Sequence, residues 1–112
     1  MQWQRIATSR DLAAGGVLGV EIGDLEIVLW RSSSGELRAC DARCPHQWAH
    51  LGAVGAVDGE ELVCLSHFWR FDSSGAGSKL AMNGRRDEKS PITTHPVRER
   101  DGGIEILIAG ED

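Results

Sequence analysis

Cys44-Pro45-His46 and Cys64-Leu65-Ser66-His67 are the two short stretches on which the reading of this chain turns. As a pattern they are Cys-x-His, a gap of seventeen residues, then Cys-x-x-His. Two soft thiolates and two imidazoles thus arrive as mixed pairs on two loops, which is the ligand pattern of a metal site. Calcium, magnesium and manganese want oxygen ligands, so thiolate plus imidazole leaves iron–sulfur clusters and zinc. Zinc knuckles usually group like ligands on one turn. A mixed pair per loop suits two irons, if one takes a thiolate from each loop and the other an imidazole from each. A single zinc ion is the competing reading, and chance placement of a buried Cys and a surface His the third. Chance is the poorest of the three, because the motif uses four ligand-type residues from only three Cys and four His.

The chain has 112 residues, enough for one domain spanning 1–112 and one core, with 41% hydrophobic and 26% charged residues. Fourteen Gly and three Pro point to tight turns rather than a disordered linker. The first eight residues lack the basic and apolar regions of a signal peptide, and no stretch has the length of a membrane span. Three Cys, two of them in the motif, make no disulfide framework, so a soluble cytoplasmic protein is expected. The formal charge of −5, with ten scattered Arg and two Lys, gives no footprint for nucleic acid.

Outward from the motif the chain reads as short strands and turns. Trp3 to Ala7, Val17 to Ile22, Glu26 to Arg31 and Glu36 to Cys40 are expected strands, with turns at Gly23-Asp24 and Ser32 to Gly35. Gly52 to Val57 and Glu61 to Cys64 are expected to pair around Asp58-Gly59, because ligands on two loops meet only if the strands carrying them pair. Phe68 to Asp72 is expected as a strand, Ser73 to Ser78 as a turn, Lys79 to Met82 as a possible short strand, and Asn83 to Lys89 as a surface excursion of little order. Val97 to Arg100 and Ile104 to Ala109 make a closing hairpin. No long helical period appears, so the fold class is all-β.

The two motifs, in this order and at this separation, resemble the Rieske [2Fe–2S] signature, in which two His replace two Cys on one iron. The resemblance implies an antiparallel β-sandwich with a small cluster-binding subdomain, its ligand loops at about 44–51 and 64–69. It implies one [2Fe–2S] cluster, with Cys44 and Cys64 on the inner iron and His46 and His67 on the outer. Ser90-Pro91 resembles the third, proline-containing loop that covers the cluster in this family. Where His95 stands, relatives usually carry an aromatic such as Tyr.

The quinol-oxidising branch has a further Cys in each loop; here those places hold Ala49 and Ser66, and the chain has no Tyr. Without hydroxyl donors to the cluster, the resemblance implies a potential toward the lower end of a range of roughly −150 to +300 mV. Imidazole ligands further imply that the potential falls as pH rises. Two leftover His, His50 and His95, make no mononuclear iron site, so the chain is expected to be a carrier and no enzyme. The stretch His67-Phe68-Trp69 most resembles ferredoxin components of toluene-type diiron monooxygenases. The expected role is single-electron transfer from a flavin-dependent NAD(P)H reductase to that hydroxylase, by a monomer in transient complexes. The ferredoxin of a Rieske aromatic-ring dioxygenase system, or a zinc-stabilised module without redox role, are the alternatives.

Pro45, Trp48, Leu51, Leu65, Phe68 and Trp69 are expected to form an apolar docking collar around the outer iron. Ordinary packing competes for each of them. Cys40 is expected to be a spare buried thiol, His50 an exposed loop residue, and His95 a packed or hydrogen-bonded one. Asp41, Asp58, Glu60, Glu61 and Asp72 flank the loops and could steer a basic partner, against the plainer reading of a solvated face.

Overall fold

A computed structural model describes residues 2–45 and 48–108 of the chain. The architecture is three antiparallel sheets around one strand buried on both faces. That strand is β3 (Leu25–Arg31), and Ile27, Val28, Leu29 and Trp30 along it are all buried. Side chains alternate across a strand, so two of these residues serve one core and two serve another. Ile27 and Leu29 join Leu12, Ala39, Ile104 and Ile106, while Val28 and Trp30 join Cys40, Cys44, Leu51, Leu62, Cys64 and Phe71. An unbroken apolar run is what such a strand needs.

Strand β3 pairs with β2 (Val17–Ile22) and β4 (Leu37–Asp41). A second sheet holds β1 (Gln2–Thr8) against the C-terminal hairpin β10 (Val97–Arg100) and β11 (Gly103–Ile108), in the order β1-β11-β10. Ile104 and Ile106 of β11 pack on Ile27 and Leu29, which makes these two sheets the layers of a sandwich. The third sheet runs in order through β5 (Gly55–Asp58), β6 (Glu61–Cys64), β7 (Trp69–Phe71), β8 (Gly77–Leu80) and β9 (Arg86–Lys89). It covers the other face of β3 through Leu62, Cys64 and Phe71. The all-β expectation is met.

Two local expectations are corrected. Leu51–Val54 is a single helical turn, α1, rather than the start of a strand. His50 causes this: its Nδ1 accepts from the Gly52 amide at 2.9 Å and its carbonyl accepts from Ala53 and Val54, both at 3.0 Å, so the chain turns before it extends. The second correction is β9, which lies in the stretch expected to lack order. It pairs with β8 along one side only, and Arg86, Asp87 and Glu88 are exposed. An edge strand solvated on both faces shows no apolar alternation, and charges on it discourage pairing with another chain.

Candidate metal centre

Cys44 leaves β4 by way of the buried Ala42, and Cys64 ends β6; both side chains lie in the same core cluster, 1% and 2% exposed. Each Cys carbonyl accepts from the backbone amide four residues on. The Trp48 amide donates to the Cys44 carbonyl at 2.8 Å, and the Phe68 amide donates to the Cys64 carbonyl at 2.6 Å. Both turns close on a residue in the left-handed region, Trp48 at φ 61° and Phe68 at φ 64°. The two closures thus match in hydrogen bond and in closing angle, and each begins on a buried Cys.

His67, inside the second turn, is half-buried with Nδ1 3.2 Å from Ser66 Oγ. His46, the partner ligand expected on the first turn, lies outside the described residues. Among the described residues no group of three or more His, Cys, Asp or Glu could hold a single metal ion. The donor set present, two buried thiols and an imidazole nearer the surface, fits a cluster with sulfur ligands inward. Cys40 differs in kind. It is buried on β4 opposite Val28, and burial, with the nearby Asp41 carboxylate adding to it, pushes its thiol up to about 12. A thiol that keeps its proton is a poor ligand.

The first loop is held by residues that sequence reading passed over. Arg43 donates through Nε and Nη2 to Glu26 on β3, at 3.2 and 3.0 Å, and through Nη1 to the Trp48 carbonyl at 3.3 Å. His50 is half-buried rather than exposed, and its Nε2 lies 3.4 Å from Glu26 Oε2. No periodic signal marks such long-range polar contacts. The third loop is pinned as firmly: the Asp41 amide donates to Thr93, the His95 amide to Ala39 and the Ile92 amide to Gly75, and His95 Nε2 lies 2.7 Å from Asp41 Oδ1. Pro91 from this loop lines a groove of about 330 Å³ with Pro45, Trp48, Asp24, Asp41 and Arg43.

Of the expected collar, Leu51 is excluded. It is wholly buried, because α1 turns it into the core beside the two Cys. Trp48, Phe68 and Leu65 are 68%, 59% and 51% exposed, Pro45 is half-buried, and Trp69 packs half-buried against the core with Lys89 Nζ 5.8 Å from its ring centre. The acidic flank is less available for steering than expected. Asp58 and Glu61 are paired with Arg70, Glu61 also with Arg86, and Asp72 accepts from the Ser74 amide and hydroxyl. The arginines, Arg86 foremost, hold the Glu61 carboxyl below its usual range.

Residues 2–95 match the family model of the Rieske [2Fe–2S] domain. The chain belongs to the Rieske family. A Rieske cluster with Cys and His ligands is the cofactor that membership implies. Among its relatives is the oxidoreductase NdmD of Pseudomonas putida, 37% identical over 107 residues that cover 92% of this chain and 18% of that protein. The crystal structure of apo dicamba monooxygenase superposes with a TM-score of 0.80 at 31% identity, covering 94% of this chain and 32% of that one. The carbazole 1,9a-dioxygenase structure, a reduced complex between oxygenase and ferredoxin, shares the fold at a TM-score of 0.77 and 18% identity, over 99% of this chain and 29% of that one. The Rieske chain thus spans about a fifth to a third of the length of these proteins.

These relatives correct one expectation. The chain was expected to be a carrier and no enzyme, but the proteins it resembles are named as an oxidoreductase and a monooxygenase, and the expectation of a pure carrier does not stand against them. The physical reason is locality: the ligand loops and the sheets beneath them form the same way whether or not a catalytic domain accompanies them. Counting leftover His over this stretch therefore could not decide the matter. The likeness to diiron-system ferredoxins rests on a short motif that these relatives do not extend. Among the described residues, no helix is long and apolar enough to cross a membrane.

Proposed function

We propose that this Rieske domain is the one-electron relay of an oxygenase enzyme, receiving electrons that originate in a flavin-dependent NAD(P)H reductase and passing them to an oxygen-activating iron centre. The observation that carries the reading is the pair of buried Cys in one core, each with its carbonyl bonded to the amide four residues on and each followed in sequence by an expected His. Cys44 and Cys64 would hold the inner iron, and His46 and His67 the outer. Bound there, the cluster supplies a couple that accepts one electron at a time. Around it the chain does three things. The apolar core of Leu51, Leu62, Phe71 and Ile92 keeps water from the thiolates. The Glu26–Arg43 pair and the His50 cap fix the exit of the first loop. The third loop, tied to β4, closes the flank at Pro91.

The relatives named above support an oxygenase setting, and a cytoplasmic enzyme without a membrane or nucleic-acid partner is the simplest form of it. The test is direct. The purified protein should contain two irons and two acid-labile sulfides, be reddish-brown, and give a rhombic EPR signal after reduction by NADPH through a flavoprotein reductase. A colourless protein holding one zinc overturns the proposal. So does a coloured protein that no flavoprotein reduces.

A further inference from the structure

Trp48 and Phe68 stand at the same step of the two ligand turns, and both have backbone angles at which glycine is relaxed and a bulky side chain is an outlier. Strain at a functional site persists when something other than local comfort maintains it. Core packing is not what maintains it here, because the two rings are 68% and 59% exposed. Trp69 next door shows the contrast: its backbone is ordinary strand and its ring packs half-buried on the core. The groove beside Trp48 adds a charge signature. Of its three carboxylates, Glu26 is taken up by Arg43 and Asp41 lies against His95, which leaves the exposed Asp24 as the acid that faces solvent.

We propose that Trp48 and Phe68 are the paired anchors of an electron-exchange surface, whose partner is a protein presenting an apolar recess edged by lysine or arginine side chains. This inference rests on the electron-transfer reading above and adds the anchoring residues and the chemistry of the partner's face. Exposed aromatic anchors at the centre of a small contact carry a large share of its energy, while charges at the rim set the rate of encounter. Two rings on two turns also fix an orientation that one ring would leave free. The exposed Asp24 complements a cationic edge.

The experiment uses the holoprotein, chemically reduced, with oxidised cytochrome c as a lysine-ringed acceptor and ferricyanide as a small acceptor that needs no docking. In Trp48→Gly and Phe68→Gly the rate with cytochrome c should fall about tenfold more than the rate with ferricyanide. The melting midpoint should stay level or rise by a few degrees, because glycine relieves the left-handed backbone. The rate with cytochrome c should fall as salt is added, and fall in Asp24→Asn. Trp48→Asn and Phe68→Asn repeat the test with a residue that tolerates the same angles. Glycine and asparagine variants that lose the visible absorption or melt lower make the rings part of the packing and overturn the inference. Variants as fast as wild type, or a rate that rises with salt, overturn it as well. A wild type without cluster absorption removes the electron-transfer reading and this inference with it, whereas a competent wild type with unaffected variants removes this inference alone.

Discussion

Glu26 grips Arg43 with both carboxylate oxygens, and Arg43 uses its remaining Nη1 on the carbonyl of Trp48. One guanidinium thereby ties the central strand β3 to the end of the first ligand turn. Arginine is suited to this because its planar fork meets a carboxylate bidentately and still has a donor to spare. The pair is about one-third exposed on each side, so solvent screening keeps its worth small, on the order of 1 kcal/mol. Arg43→Met should lower the melting midpoint by a few degrees. It should also speed iron release to a chelator, since the loop rather than the core is loosened. Arg43→Lys should recover little, because an ammonium cannot make the fork. Thermal melts and chelation kinetics on the three proteins decide this; equal iron release in all of them would show that the pair is ornamental to the loop.

Cys40 shares its core with the two proposed ligand thiols and is assigned to packing. With its thiol pushed up to about 12 by burial, it should resist iodoacetamide at pH 8 in the folded protein. Cys40→Ser should keep the visible spectrum while costing about 1–3 kcal/mol, the range for placing a hydroxyl among apolar neighbours. Cys40→Ala should keep the spectrum at a smaller cost. Cys44→Ser and Cys64→Ser should lose the visible bands. A Cys40→Ser protein that is folded and colourless would place this third Cys among the ligands.

Acid should weaken the fold through a small set of carboxyls. Arg86 and Arg70 hold the Glu61 carboxyl low, the Ser74 hydroxyl and neighbouring amides hold Asp72 low, and Arg31 holds Glu99 low. Each folded-state value lies below that of the unfolded chain, so folding favours the charged form. That stability is fully present above the unfolded values of about 3.9 for Asp and 4.3 for Glu. It is lost as pH falls through the depressed folded values. Urea midpoints should therefore be flat near neutrality and drop below about pH 4. Ser74→Ala, which removes the leading cause of the Asp72 shift, should lessen that drop; an unchanged acid profile would mean Asp72 titrates normally.

Much of this molecule was legible before the structure because its signals are local. Thiolate and imidazole spacing pointed to the Rieske family that the comparison shows, and β3 announced itself by an unbroken apolar run, though not that the run serves two cores. The turns at Gly23, Gly59 and Gly102 were readable, and each is in the left-handed region. What escaped depends on distant or solvated partners. The helical turn at Leu51 is set by a His that caps it, a residue outside the usual capping set, and Leu51 was consequently assigned to the surface. Strand β9 is recognisable only by its pairing with β8, because no face of it is apolar. Arg43 meets Glu26 across seventeen positions of sequence, beyond any local pattern. Whether a Rieske domain works inside an enzyme is invisible in the loops that bind the metal, since those loops do the same job in either setting.

Two glycines hold the third loop against the sheet, and the prediction from them is graded by position. A Cβ at Gly77 would collide with the carbonyl oxygen of Ser90, and one at Gly75, which also has φ 87°, with that of Ile92. These are backbone atoms, which cannot swing aside as a side-chain tip can. Gly59 is a contrast: it has φ 64° but open space where its Cβ would be. Gly59→Ala should cost only the left-handed backbone penalty, about 1 kcal/mol. Gly75→Ala adds a steric collision to that penalty and Gly77→Ala has the collision alone, so both should cost more, about 2–4 kcal/mol by displacing the loop. If the loop moves, Pro91 leaves the flank of the metal centre, and the two variants should bleach in air faster than Gly59→Ala at equal unfolded fraction. Urea titration ranks the costs, and the loss of visible absorption with time ranks the exposure. Should Gly59→Ala prove the worst of the three, the close approach of the third loop to the β7–β8 turn is not what these glycines serve.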